Sequence, residues 1–427
     1  MSAPPPPSRA YANYVLALLS ASYVVNYLDR YVLAMLAGPI KAELGISDAD
    51  MGFLLGPAFA LLYTGLGVPV AWLADRTSRR NLIALGMTVW SAFTAFSGLA
   101  RSGLEIALAR FGVGVGEAAG AAPSHSLIAD YFPPERRATA LSVFQTGVPI
   151  GQMLGTVIGG LLVAPLGWRN VFLVVGLPGI AIALLLRLTV REPARPARAD
   201  AASSLGDALG EFARSIRSLL AIPTFRALAF GGMFASVAGT GFGVWLPTMF
   251  VRSHGMSLAE FGMTYGIVSG LASVTGAVGA GLLADRLAHL DPRWRLRVAA
   301  ASVGLSIPIL IGICAVPDPR VAMWLSVPAG LAGSGYAPVL FAIAQGLAPA
   351  RVRAMTSSVM ILFITGGGML IGPWAIGVLS DALAGRFGAD SLRVAMIAML
   401  ATMSFGVVAL LRGTRTLLRD VARNAAA

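Results

Sequence analysis

Apolar runs of about 20 residues, the length an α-helix needs to cross a hydrocarbon core, recur along this chain with short polar breaks between them. They begin near Ala12, Met51, Leu82, Leu104, Ala138, Val171, Ala227, Leu258, Val298, Val321, Met355 and Leu392. The pattern predicts an all-α integral membrane protein with twelve spans. The longest polar stretch, TVREPARPARADAASSLGDALGEFARSIRSLLAIPTF at residues 189 to 225, falls between the sixth and seventh runs. The expected layout is therefore a tail (1–11), a six-helix bundle (12–190), a linker (191–225), a second six-helix bundle (226–412) and a second tail (413–427).

Composition agrees with this and excludes a soluble globule. Of 427 residues, 56% are hydrophobic and only 12% charged, and the mean hydropathy is +0.76, which leaves too little polar surface for a water-soluble fold of this size. The net charge of +12 raises the question of a nucleic-acid partner. With the N-terminus placed in the cytoplasm, 23 of the 32 basic residues fall in loops and tails of that one side. This is the positive-inside bias, so basicity sets topology and no nucleic-acid partner is expected. Both termini are expected in the cytoplasm and the protein in the plasma membrane, as a monomer. One cysteine, Cys314, and three scattered histidines, His125, His254 and His289, offer neither a disulfide nor a metal cluster. The proline-rich start, MSAPPPPSRA, precedes a first run without a signal-peptide cleavage pattern, so that run is expected to remain as a span.

Two sequence segments recur between the halves. VAWLADRTSRR (70–80) returns as AGLLADRLAHLDPRWR (280–295), and FPPERRATALS (132–142) is echoed by LAPARVRAMTSS (347–358). With six spans in each half, both copies keep their orientation, as parallel repeats about an axis along the membrane normal require. Two pseudo-symmetric six-helix bundles around a cavity follow. Together with the twelve spans and central linker, these loops resemble the major facilitator superfamily over nearly the whole chain. NYLDRYVLA, ARFGVGVGEAAGAAPSHSLIADYFPPERRATALS and GVPIGQMLGTVIGG resemble bacterial members of its Spinster-like branch. The phthalate and hexuronate anion symporter branch shares the first two elements and is the second choice.

The chemistry concentrates in the first and fourth spans. Asp29 and Arg30 interrupt VVNYLDRYVLAM, and a charge at mid-bilayer costs several kcal/mol unless it is paired or lines a polar cavity. Arg110 and Glu117 are about two helical turns apart on one face. Counted from the cytoplasmic ends, Asp29, Arg110 and Glu117 lie roughly 24, 27 and 16 Å deep, close enough for one cluster. A purely structural staple should recur in the second half. An offset of about 215 residues instead lands on Val244 and Trp245, Leu325 and Ala332, which carry no charge. Asp29 and Glu117 are therefore the candidate proton carriers, and Arg30, Arg110 and Asn26 the candidate charge partners or substrate ligands. A carboxylate whose desolvation and arginine contacts change as a cavity alternates would load and release a proton. The resemblance implies the same: matching acids in those families take part in proton coupling, and matching arginines pair with them or with an anionic substrate.

Asp75, Arg76, Arg79 and Arg80, with Asp285 and Arg286 as their copy, are candidate gating loops. In the resembled superfamily the acid pairs with helix N-termini of the opposite half, a favourable charge–dipole contact. Gly147, Gly151, Gly155 and Gly159 make a smooth face suited to close helix packing, and also resemble the glycine-rich fifth helix of exporters. Gly366, Gly367 and Gly368, followed by Pro373, mark a kink or a gating hinge. Ser124, His125, Ser126 and Asp130 invite a hydrolase reading, but no spacing orders them as nucleophile, base and orienter.

The second half carries aromatics where the first carries charge, with Trp245, Phe242 and Tyr336 as a possible apolar wall. A cavity charged on one side and apolar on the other suits a lipid-like amphiphile of lysophospholipid or sphingoid type, which the Spinster resemblance also implies. A small organic anion such as a sugar acid, or a drug exchanged for protons, is the alternative. Without a cofactor motif or nucleotide loop, the energy is expected from an ion gradient. A receptor or an intramembrane enzyme would have no use for two matched halves.

Overall fold

The computed structural model describes residues 8–193, 204–348 and 353–425 and is helical nearly throughout, with no strand among them. Among the described residues twelve long helical segments follow one another: α1 (Arg9–Leu44), α2 (Asp48–Arg76), α3 (Arg79–Ser97), α4 (103–131), α5 (134–166), α6 (168–189), α7 (Pro223–His254), α8 (Leu258–Ala288), α9 (Trp294–Ala315), α10 (Pro319–Leu347), α11 (353–387) and α12 (391–413). Among the described residues seven continuous helical runs are long and apolar enough to cross a membrane. Two of these are 55 and 59 residues long, and each is folded in two. Gly167, at φ 71°, separates α5 from α6, and Gly388, at φ 53°, opens the turn between α11 and α12. Both use a left-handed conformation that side chains disfavour. The three remaining spans, α1, α3 and α4, are those diluted by charge, at Asp29 and Arg30, at Arg79 and Arg80, and at Arg110 and Glu117.

Short connections suffice because side-chain caps satisfy the helix ends. Ser8, Ser47, Ser78, Ser102 and Ser257 each accept a hydrogen bond from an N–H in the first turn of the helix that follows, the arrangement that serine favours at an N-cap. Gly45 closes α1 in the left-handed conformation.

An even number of spans puts both chain ends at one end of the bundle, the tail end; the other is the far end. In the first half α1 packs along α5, and α3 lies against α4 and α6. In the second, α7 packs on α11 and α12, and α10 on α8 and α9. The halves meet through α2 with α11, α5 with α8 and α1 with α7. The closest of these approaches lie toward the far end. A Cβ on Gly52 would sit 2.5 Å from Pro373 O, one on Gly160 2.4 Å from Leu258 O and one on Gly262 2.7 Å from Thr156 O. Toward the tail end, Gly65 and Gly67 of α2 and Gly279 and Gly281 of α8 meet nothing within 4 Å. Among the described residues the tightest backbone approaches between the halves are therefore at the far end.

A linker helix, Leu205–Leu220, begins with a Ser204–Asp207 capping box and buries Ala208, Ser215 and Leu219. It lies against the tail-end segment of α2, against α7 and against α11. Arg195, Arg198 and Arg351 from the basic side of the loop count lie outside the described residues.

Candidate functional site

The glycine face of α5 places the charged turn of α1. Gly147, Gly151, Gly155 and Gly159 run along α1 from Tyr23 to Met35, and a Cβ at Gly151 or Gly155 would come within 2.4 Å of Val24 O or 2.6 Å of Leu28 O. Small residues let two backbones approach this closely. The turn holding Asn26, Asp29 and Arg30 is thereby pressed toward α3 and α4.

Arg30 and Glu117 form the centre. Arg30 Nε and Nη2 both donate to Glu117 Oε2, at 2.8 and 2.5 Å, with side-chain exposures of 9% and 0%. Three rings surround the guanidinium, with Tyr27, Phe59 and Tyr63 centroids 4.7, 4.6 and 4.9 Å from its central carbon. Each face contributes about 0.5–2 kcal/mol of cation–π attraction in a desolvated place. Arg30 therefore keeps favourable company whether or not Glu117 is charged.

Asp29 turns to α3, where Thr94 Oγ1 donates to its Oδ2 at 3.1 Å. Arg110 is 3% exposed and lies over the Phe59 ring at 5.1 Å. It is within electrostatic reach of both acids, yet it forms no ion pair among the described residues. Asn26 lies beside Glu117. Asp29 Oδ1, Glu117 Oε1 and Arg110 Nε are all buried with no hydrogen-bond partner among the described residues. Such groups carry a desolvation cost of about 1–3 kcal/mol each, more when charged, which makes the site receptive to a proton or a ligand. The five residues expected to form one cluster do share this place. Tyr27, Phe59, Tyr63 and Thr94 belong to it as well, although nothing in the sequence singled them out.

Across the interface, every buried polar residue described in α7–α12 is a serine or threonine. Of the three aromatics proposed as a wall, Trp245 is fully enclosed, and its indole N–H donates to Pro373 O at 2.8 Å. Phe242 is buried beside it on α7. Trp245 thus fills the contact between α7 and α11 in this conformation. Tyr336 is half-buried at the start of the second segment of α10, beside Ser236. Tyr265 of α8, stacked on Phe261 at 4.8 Å, is the ring that approaches Tyr31 of α1.

In the tail-end loops Arg79 and Arg80 bond within the first half. Arg79 is completely buried and bridges Asp130 at 2.5 Å and Glu192 at 2.8 Å, while it donates to Ser126 O at 3.0 Å. Arg80 N–H donates to Glu192 at 2.8 Å, and Arg80 Nη1 to Val190 O at 3.0 Å. These bonds tie α3 to α4 and to the residues after α6, all inside the first half. Burial alone would push the Glu192 carboxyl up, but the Arg80 N–H and the Arg79 guanidinium outweigh it and hold the group below its ordinary range. Arg76 stacks on Trp72 at 4.2 Å, Asp285 pairs with Arg295 at 3.2 Å, and Asp75 and Arg286 are exposed. Asp130 is thus a partner of Arg79, Ser124 donates to Gly120 O, and His125 packs edge-on against Phe144.

At the far end a set of polar bonds joins the two halves. Asp48, 3% exposed at its side chain, receives both Nη atoms of Arg252 at 2.8 Å, Ser380 Oγ at 2.6 Å and Lys41 Nζ. Asp381 of α11 accepts the backbone N–H groups of Asp48 and Ala49 at 3.0 and 2.7 Å, capping α2 from the other half where the helix dipole favours a carboxylate. Farther in, α11 changes to a π-helical turn at Leu362–Gly366, a local defect often found at functional bends.

The Major Facilitator Superfamily profile matches residues 19–373. The chain belongs to the major facilitator superfamily. It is a membrane transporter and not an enzyme. A solved bacterial homolog to the human lysosomal transporter Spinster, in an inward-facing and unoccupied conformation, is 29% identical and superposes with a TM-score of 0.86 over 97% of this chain and 99% of that one. An MFS-type efflux pump of Mycolicibacterium smegmatis is 34% identical over 403 residues, 93% of this chain and 90% of its own. A D-galactonate transporter of Escherichia coli is 27% identical over 427 residues, covering 95% and 96% of the two. The transporter is thus Spinster-like in sequence and shape.

Proposed function

We propose that this transporter works by alternating access, is driven by protons, and moves an amphiphile with a charged head and an apolar tail. The observation that carries the proposal is the one-sided charge within the spans: Asp29, Arg30, Arg110 and Glu117 cluster in the first half, Arg110 without an ion pair among the described residues, and face α7–α12, whose described buried polar residues are serines and threonines. Arg110 is the ligand for an anionic headgroup, and the apolar tail lies against the second half, near Tyr265 and Tyr336.

In this mechanism Glu117 and Asp29 take up protons. Protonation of Glu117 weakens its bond to Arg30, and the Tyr27, Phe59 and Tyr63 rings retain the guanidinium. Arg30 is then free to turn toward the substrate headgroup beside Arg110. The far-end latch keeps one entrance shut while the tail end is open. With the basic loops in the cytoplasm, the tail end faces inward, both termini are cytoplasmic, and the host membrane is the plasma membrane. The protein acts as a monomer without a cofactor.

A small organic anion, as in the name of the D-galactonate relative, is the second reading, and Arg110, without an ion pair among the described residues, favours it equally. A thermal-shift screen of the purified protein with lysolipids, sphingoid bases and sugar acids separates the two. Stabilisation by lysolipids or sphingoid bases, abolished by Arg110→Gln, is expected; stabilisation by sugar acids alone would overturn the amphiphile.

A further inference from the structure

The tail end of the second half carries an open groove that the transport mechanism does not use. It measures about 360 Å³ and is lined by Arg226 and Phe230 of α7 and by Ala409, Arg412 and Thr416 at the end of α12, a size at the lower end of ligand sites. Its two arginines lie within a turn or so of their helix ends, at the level where a span leaves the bilayer. Both are exposed, and neither side chain forms an ion pair or hydrogen bond among the described residues.

The surroundings are ordered and complementary to an anion. Thr416 shares a 2.6 Å hydrogen bond with Thr224, which holds the two helix ends together. Phe230 is fixed edge-on to Phe363 at 5.2 Å and supplies an apolar floor. Asp420, the one buried acid nearby, is already engaged by the Thr224 N–H and hydroxyl at 3.0 and 2.7 Å and by Arg419. The tail helix beyond, Leu417–Ala425, exposes Leu418 and Val421 alongside Arg419 and Arg423, the mixture of an interfacial helix. Basic pockets between spans on such a surface bind anionic headgroups.

We propose that this groove holds the headgroup of an anionic phospholipid of the adjoining leaflet, with Arg226 and Arg412 as its phosphate ligands and the acyl chains running past Phe230. The site lies outside the charge cluster and is independent of which substrate is carried. At about fivefold for each arginine near a charged membrane surface, losing both would weaken the lipid about 25-fold.

The test is native mass spectrometry and thermal shift on the full chain titrated with phosphatidylglycerol, phosphatidylcholine or inorganic phosphate. The wild type is expected to retain and be stabilised by phosphatidylglycerol over phosphatidylcholine. Arg226→Gln/Arg412→Gln should lose that preference, and Arg415→Gln should keep it. Ala409→Trp, which fills the groove and leaves both arginines, should lose it as well. Equal binding of the two lipids, equal binding by the double variant, or full stabilisation by inorganic phosphate alone would overturn the proposal.

Discussion

Asp48→Asn tests the far-end latch, because it removes one charge with almost no change in shape. In the wild type the carboxylate is buried and takes two bonds from Arg252, one from Ser380 and one from Lys41. Removing one member of a buried ion pair costs about 3–5 kcal/mol. Arg252 and Lys41 are 23% and 28% exposed, so water recovers part of that loss, and the loss falls to about 2 kcal/mol. The Arg252 and Ser380 bonds cross between halves and exist only while the far end is shut, so the loss acts on the closed–open equilibrium. About 2 kcal/mol is about 30-fold, enough to raise an open population of roughly 1% to roughly a quarter. Spin labels at introduced cysteines in place of Ala42 and Ala384, both exposed at that end, would report the distance between the halves, and the lone native Cys314 is fully buried. The expected result is a new long-distance population in the variant. An unchanged distance distribution from a folded Asp48→Asn protein would refute the latch.

Three further outcomes follow from the same geometry. Gly151→Ala should lower thermal stability by about 1–3 kcal/mol, the usual cost of overpacking, since its Cβ would meet Val24 O; an unchanged melting temperature would contradict the close seat of α1 on α5. Glu192 has a depressed folded pKa, so its contribution to stability is complete above the ordinary carboxylate value and is lost as pH falls below about 4.5. Glu192→Gln should therefore show a flatter decline in melting temperature between pH 5 and pH 3 than the wild type, to within about one pH unit, and parallel curves would remove its role in the Arg79 clamp. Trp245→Phe should cost about 1 kcal/mol through the lost bond to Pro373 O and leave substrate affinity unchanged in an equilibrium binding assay. A large loss of affinity would return Trp245 to the cavity wall.

The spans and the charge cluster were legible because the bilayer makes them so. A helix must be long and apolar to cross, and a carboxylate or guanidinium inside one stands out against that background. Helical periodicity then put Arg110 and Glu117 on one face. The aromatic cage was not legible, since Tyr27, Phe59 and Tyr63 are ordinary residues in any span and only packing brings three rings to one guanidinium. The far-end latch was hidden for another reason. Lys41 and Arg252 read as loop charges, and the partners that define them, Asp48 with Arg252 and with Ser380, are separated by 204 and 332 residues. The ADR loops were visible as repeats, but a repeat gives no indication that Arg79 would turn inward to Asp130 and Glu192. Trp245 was singled out because aromatics were all the second half offered, and its indole N–H found a backbone carbonyl instead of a cavity.

The central claim is that Asp29 and Glu117 couple substrate movement to protons. The most direct measurement is proton flux in proteoliposomes carrying an internal pH dye, recorded on addition of the amphiphile that stabilises the purified protein, for the wild type, Asp29→Asn and Glu117→Gln. The account predicts a substrate-dependent pH change with wild type and none with either variant, each still folded and still binding substrate. A substrate-dependent pH change of wild-type size in both variants would contradict it.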